Sequence, residues 1–233
     1  MSKSKKNLII PIILIVIIAI GFGVYFFIRS NEPYIDINGI KNLVFDKKAY
    51  LIPETEKKLF KKHNNSPTNK SHTFGTLEKD GLNDIVNFYK KKISNNLSDK
   101  NFIDLGSGDG RVTIWASVYG FKNSHGVELS PHRHNLAINN LKNIKSNNIR
   151  FFNDDILNHD IRNYDLMYIS SICFHEDFLK KLREKIDVEG KKNSMIVCSK
   201  QMSLKNYKSI GQIKITQSWS KGKNTGYVYV KIK

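Results

Sequence analysis

The stretch Asn-Phe-Ile-Asp-Leu-Gly-Ser-Gly-Asp-Gly at residues 101–110 most constrains what this chain can fold into. Phe102, Ile103 and Leu105 form a short apolar run that reads as a buried strand. Gly106, Gly108 and Gly110 then permit a tight turn into a helix beginning near Arg111. Lacking side chains, these glycines let the backbone approach a ligand closely, and the unpaired amides of the helix's first turn point at whatever lies over the loop. Open α/β sheets bind their ligands in such a crevice, at the carboxyl end of a strand.

Glycine spacing alone also serves dinucleotide enzymes, so two carboxylates carry the distinction. Asp104 occupies the strand end, where dinucleotide loops place a small residue. Glu128 ends the next apolar stretch, His125-Gly-Val-Glu-Leu, 18 residues after Gly110. A second parallel strand would present that carboxylate to ribose hydroxyls. With these residues the sequence resembles the class I S-adenosylmethionine-dependent methyltransferases. The resemblance implies S-adenosyl-L-methionine as cofactor. Asp104, Gly106, Ser107, Gly108 and Gly110 would line its methionine portion, with Glu128 on the ribose. In Asn153-Asp-Asp-Ile156, it implies Asp155 beside the adenine amine, with apolar Ile156 next to it. Thr76, in the turn Thr73-Phe-Gly-Thr-Leu-Glu78, would fold over the cofactor.

The rest of the chain alternates between the two periods. Leu82, Ile85, Val86, Tyr89 and Ile93 recur at helical spacing. Ser130-Pro131 opens a helix whose Leu136, Ile138 and Leu141 are expected to face inward. Apolar runs follow near residues 149–152, 164–169 and 194–199, with a helix at 176–186, and β-rich runs at 211–218 and 226–232 close the chain. The pattern predicts an α/β fold, a doubly wound sheet with a terminal β-hairpin whose last strand is antiparallel, and the resemblance implies that it is a Rossmann-like seven-stranded methyltransferase sheet. This domain is expected over residues 72–233.

Before it, residues 8–28 are about 21 consecutive uncharged residues, enough to span the roughly 30 Å hydrocarbon core as one N-terminal transmembrane helix. Lys3, Lys5 and Lys6 make residues 1–7 a basic tail. The apolar run is too long for a signal peptide and lacks a small-residue cleavage site, so a retained single-pass anchor is expected. Residues 29–71, rich in Lys and Asn with Pro33, Pro53 and Pro67, read as a basic linker with a local helix near 55–62. Basic residues flank the apolar run on both sides, so orientation is not fixed by charge. The catalytic domain is expected on the cytosolic side, where the cofactor is made. Cys173 and Cys198 lie in apolar segments and read as thiols, and the seven histidines form no ligand spacing, so no metal is expected. The net charge of +17 admits a nucleic-acid or nucleosome partner as well as an anionic membrane surface.

The acceptor side is read from Ser170-Ser-Ile-Cys-Phe174, after the fourth strand. It has neither the Asp/Asn-Pro-Pro-aromatic loop that holds a base amine nor a Pro-Cys pair, which disfavours DNA base methylation. This segment, with Met195-Ile-Val-Cys-Ser-Lys200, Ser218-Trp219-Ser220, Tyr227 and Tyr229, resembles the Dot1 family of protein-lysine methyltransferases. That resemblance implies a protein substrate with an acceptor lysine and an aromatic channel containing Phe174, Trp219 and Tyr227. Ser170 and Ser171 stand where the family has paired asparagines. The loop Gly106-Ser-Gly-Asp-Gly-Arg111 and the single membrane span are also similar to the membrane-anchored lysine methyltransferases of a mitochondrial ATP synthase subunit. Two other classes stay open: a tethered cofactor-binding module without activity, and an RNA or small-molecule methyltransferase.

Overall fold

The structure is a computed structural model that describes residues 40, 43, 45, 51–64, 75–142 and 144–233. The chain divides into units 1–33 and 34–233, and everything described belongs to the second. Helices α1 (Glu54–Asn64) and α2 (Lys79–Lys92) precede β1 (Asn101–Leu105), α3 (Arg111–Ser117), β2 (Asn123–Glu128), α4 (Pro131–Leu141) and β3 (Ile149–Asn153). Then come β4 (Leu166–Ile169), α5 (Glu176–Glu189), β5 (Met195–Cys198), β6 (Tyr207–Thr216) and β7 (Lys223–Lys231).

Side chains alternate across each strand, and the apolar runs divide between two cores accordingly. Phe102, Leu166, Tyr168, Met195 and Val197 face one side. They pack on Leu82, Ile85, Val86 and Tyr89 of α2 and on Val112 and Ala116 of α3. Ile103, Leu105, Met167, Ile169, Ile196 and Cys198 face the other side, against Phe178, Leu179, Leu182 and Ile186 of α5. Coverage on both faces explains why β4 and β5 are buried at every residue, as central parallel strands are. Truncating a fully buried member such as Ile85 to Ala would cost about 2–5 kcal/mol.

The seven strands form one sheet in the order β3-β2-β1-β4-β5-β7-β6. β1 pairs in parallel with both β2 and β4, while β7 runs antiparallel between β5 and β6. The chain therefore winds one way from β1 to β3 and the other way from β4 onward. This leaves a switch point, and so a crevice, beyond the carboxyl ends of β1 and β4. The register sets Asp104 between Gly126 and Tyr168 at that edge.

One helix face departs from expectation. Ile138 is 37% exposed and Leu136 only partly buried, while Arg133 and Ala137 form the buried face of α4. Arg133 turns inward, where the charges of Glu128, Glu56 and Asp109 favour its cation. The stretch expected to be a linker contains α1 close to where a helix was expected, and its Ile40 and Phe60 are buried. The basic tail and the apolar span at 8–28 lie outside the described residues. Among the described residues no helix is long and apolar enough to cross a membrane.

Candidate active site

The turn from β1 to α3 depends on its glycines. Gly106, Gly108 and Gly110 all have positive φ, at 93°, 56° and 81°, a region costly for residues with a Cβ. The N–H groups of Gly106 and Ser107 both donate to the carbonyl of Val127 at 2.9 Å, tying the loop to β2. Gly126 makes the close approach possible, since a Cβ there would lie 2.7 Å from the Ser107 side chain and from Thr113 Oγ1. Asp109, buried, receives the Arg111 guanidinium at 3.0 Å and braces the far side of the loop. Arg111 in turn lies over the Phe45 ring.

Glu128, at the end of β2, is 5% exposed. One carboxylate oxygen accepts the Gly108 N–H at 2.9 Å and the other accepts the Ser130 N–H at 2.8 Å. Burial pushes its carboxyl above the usual range, and the Arg133 charge and these two amides pull it back. The Arg133 guanidinium is itself buried within the fields of Glu128, Glu56 and Asp109. Glu56, from α1, accepts the His132 N–H at 3.0 Å and the Ser130 hydroxyl, and Ser130 caps α4 by accepting the Arg133 N–H. A carboxylate keeps further lone pairs after two hydrogen bonds, so Glu128 can still receive ribose hydroxyls.

Asp104 is 3% exposed, and nothing among the described residues donates to its carboxylate. Burial, and then the negative charges of Glu128 and Asp109, push its carboxyl up to about 8. A buried acid without a partner is costly unless a cation comes to it. Beside it, a Cβ added to Gly106 would meet only Ile156 Cδ1, at 4.0 Å, so the loop borders open space on that side. An unpartnered carboxylate, open space over a glycine and a second carboxylate at the end of β2 fit S-adenosylmethionine, which carries a sulfonium, an ammonium and a ribose diol.

The other expected residues divide. Ile156 is buried in the α5-side core and borders the Gly106 space. Asp155 Oδ1 accepts the Leu157 N–H at 2.9 Å, which closes the turn after β3. Thr76 exchanges hydrogen bonds with Ser218 at 2.9 and 3.0 Å, and its hydroxyl donates to Leu77 O. This pins the segment before α2 to the one after β6. Ser171 is fully buried and its hydroxyl accepts the Lys200 N–H at 3.1 Å, which joins the ends of β4 and β5 and leaves its own proton to donate. Ser170, directly after β4, is half-buried. Phe174 stacks edge-on against Phe178 at 4.8 Å, and Phe174 and Tyr227 both flank the α5-side core. Trp219 is 42% exposed and lies against Gly75, in the segment leading into α2.

Sequence reasoning missed three groups. Tyr168 and Gln217 are buried together, with Gln217 Nε2 donating to the Tyr168 hydroxyl at 3.0 Å and to Ser199 Oγ at 2.7 Å. Among the described residues Gln217 Oε1 has no partner. The third is Glu56, which lay in a lysine-rich stretch without periodicity. Among the described residues no group of His, Cys, Asp and Glu is placed to hold a metal ion.

Residues 104–209 match the ANTKMT methyltransferase domain. No curated protein matches the chain in sequence. Similar solved structures include the magnesium protoporphyrin IX methyltransferase of Synechocystis with bound S-adenosylmethionine, at 12% identity and a TM-score of 0.53, covering 66% of this chain and 79% of that one. A protein assigned as a methyltransferase from Escherichia coli is 13% identical with a TM-score of 0.53 over 66% and 86% of the two chains. A protein assigned as a methylase from Haemophilus influenzae is 15% identical with a TM-score of 0.51 over 65% and 88%. Residues 104–209 therefore match a methyltransferase domain, the sheet has the fold of S-adenosylmethionine-dependent methyltransferases, and S-adenosylmethionine is the cofactor that the loop, Asp104 and Glu128 fit.

Proposed function

We propose that this chain transfers a methyl group to the side-chain amine of a protein lysine, and that residues 8–28 tether it to a membrane with the catalytic domain on the cytosolic side. The observation that carries the transferase reading is the Glu128 carboxylate. It bridges the amides of Gly108 and Ser130 at the switch point, beside the unpartnered Asp104. The lysine reading rests on Phe174, Trp219 and Tyr227, on hydroxyls rather than a base-amine loop after β4, and on the resemblances those residues carry. The Dot1-like and membrane-anchored lysine methyltransferase resemblances agree at this level, and the anchor suits the second better.

When bound, the cofactor supplies a methyl group on a cationic sulfur. Asp104 would hold the cofactor's positive charge, and Glu128 would orient the ribose and, through the Gly108 N–H, keep the loop in place. An amine attacks only as the neutral base. Aromatic walls at Phe174 and Tyr227 would disfavour its charged form by keeping water from it. No enzyme nucleophile is needed, because positioning supplies most of the rate.

The test is incubation of the full chain with S-adenosylmethionine labelled on its methyl group, together with membrane protein and, separately, RNA. Methyl-lysine recovered after protein hydrolysis is the expected product. It should be lost in Glu128→Ala and reduced in Tyr227→Ala, with cofactor affinity retained in the second. Label in RNA would instead favour the nucleic-acid reading that the +17 charge admits. Cofactor binding without label anywhere would leave the tethered binding module.

A further inference from the structure

We infer that helix α1 is a strap across the mouth of the cofactor crevice, with Glu56 as the positioning residue that latches it shut. The inference rests on the cofactor reading above and extends the site to a segment outside the matched methyltransferase domain, which begins at residue 104.

Helix α1 meets both layers of the molecule. On one side, Glu56 accepts the His132 N–H at 3.0 Å and the hydroxyl of Ser130, both in the first turn of α4, directly after Glu128. That turn belongs to the layer containing α3, since Leu141 of α4 packs on the cluster that includes Ile114 of α3. On the other side, α1 packs against α5, which covers the opposite face of the sheet. A helix that touches both layers would cross the sheet's carboxyl edge, between the end of β2 and the end of β4. Those ends are two strand spacings apart, about 10 Å, and an 11-residue helix is about 16 Å long. That path would run above the glycine loop, Asp104 and Glu128, and Ser130 already joins the helix to Glu128 through one hydrogen bond to each.

The latch is chemically matched to its seat. The first-turn amides of a helix have no intrahelical acceptor and favour an anion, and Glu56 supplies one. Phe60, one turn further along α1, is buried with the Arg133 guanidinium 6.0 Å from its ring centre. Arg133 thus lies under the strap and beside Glu128, so the strap and the ribose carboxylate share one cation. The same arrangement places two carboxylates close together, and Glu56 raises the Glu128 carboxyl. This opposition gives the strap a reason to be held only marginally. A cofactor that reaches Asp104 and Glu128 must enter while α1 is lifted, and α1 then excludes water from the transfer site.

The experiment measures association and dissociation rates of S-adenosylhomocysteine with the full-length chain, its Glu56→Ala and Glu56→Gln variants, and Phe60→Ala. Folding of each is checked by its thermal midpoint. An unlatched strap speeds both entry and exit. Glu56→Ala is expected to raise both rate constants at least tenfold, the change that loss of its charge-assisted hydrogen bonds from His132 and Ser130 brings, with a smaller change in their ratio. Phe60→Ala should do the same, and Glu56→Gln, which keeps an acceptor for the His132 N–H, should restore most of the wild-type rates. A residue that only stabilised α4 would raise the dissociation rate alone and lower the thermal midpoint. Association unchanged within twofold in folded Glu56→Ala and Phe60→Ala overturns the strap. Should both variants unfold, hydrogen exchange in the wild type decides. α1 amides are expected to exchange more slowly once S-adenosylhomocysteine is bound, and equal rates overturn the inference. Absence of binding by the folded wild type is seen before any variant is made, and removes the cofactor reading itself.

Discussion

The carboxylate of Glu128 accepts the N–H of Gly108 at 2.9 Å, so the residue expected to hold the ribose also holds the glycine loop. A hydrogen bond to a charged group contributes about 1.5–3 kcal/mol, and leaving the buried Gly108 amide without an acceptor adds its own cost. Glu128→Ala is therefore predicted to weaken S-adenosylhomocysteine binding by about 100-fold through lost ribose contacts and a loosened loop together. Glu128→Gln can accept only one of the two amides through its single carbonyl and should fall between. Calorimetric titration checks both, and an unchanged affinity for Glu128→Ala would remove this carboxylate from the site.

Two glycines of the site fail for different reasons when given a methyl group. At Gly126 the backbone is ordinary, but a Cβ would lie 2.7 Å from Ser107 Cβ, Ser107 Oγ and Thr113 Oγ1, so Gly126→Ala pushes the loop away from β2. The predicted cost is about 1–3 kcal/mol of stability, with a larger proportional loss of cofactor affinity. At Gly110 the φ of 81° and a Phe151 ring carbon at 2.5 Å both oppose a side chain. Gly110→Ala should cost about 3 kcal/mol or more. Denaturant titration, compared with cofactor titration, separates the two outcomes.

The buried pair of Tyr168 and Gln217 gives a third test. Gln217→Leu removes the hydrogen bonds to the Tyr168 and Ser199 hydroxyls but also removes the unpartnered Oε1, at nearly constant volume. Loss and relief nearly cancel, so a change within about 1 kcal/mol is expected. Gln217→Ala adds a cavity and should cost about 2–3 kcal/mol more. Equal destabilisation by the two variants, measured in denaturant, would show that the hydrogen bonds dominate at this site.

The fold was legible because its signals are local. Gly106, Gly108 and Gly110 announce the turn, and the apolar runs at Phe102, Leu166 and Met195 are short and bounded, as buried parallel strands are. Asp104 and Glu128 could be found from their offsets to the glycines. What sequence did not show depends on contacts between distant segments. Ser171 was named because it stands where the Dot1 resemblance has an asparagine, and sequence could not show that its hydroxyl also accepts the Lys200 N–H, 29 positions away. Ile138 fits the apolar period of α4 but is exposed, because the buried face was already claimed by Arg133 to neutralise Glu128, Glu56 and Asp109. Glu56 itself stands in a lysine-rich stretch whose pattern says only that it is polar. Its role exists only once α4 is folded beneath it.

Asp104 supplies the pH dependence. Burial with Glu128 and Asp109 nearby raises its carboxyl from 3.8 to about 8 in the folded protein. The folded state therefore holds a proton that the unfolded chain has released between about pH 4 and 8. Folding stability without cofactor must decline as pH rises through that window. Asp104→Asn, which mimics the protonated acid, should flatten the decline and be more stable than wild type at pH 8. Cofactor binding has the opposite slope, since a cation needs the carboxylate ionised. Affinity should rise with pH up to about 8, with close to one proton released per cofactor bound near neutrality. Calorimetry in two buffers of different ionisation enthalpy measures that proton. Asp104→Asn should bind weakly and release none. A wild-type affinity that is flat from pH 6 to 9, with no proton released, would mean that Asp104 does not face the cofactor's charge.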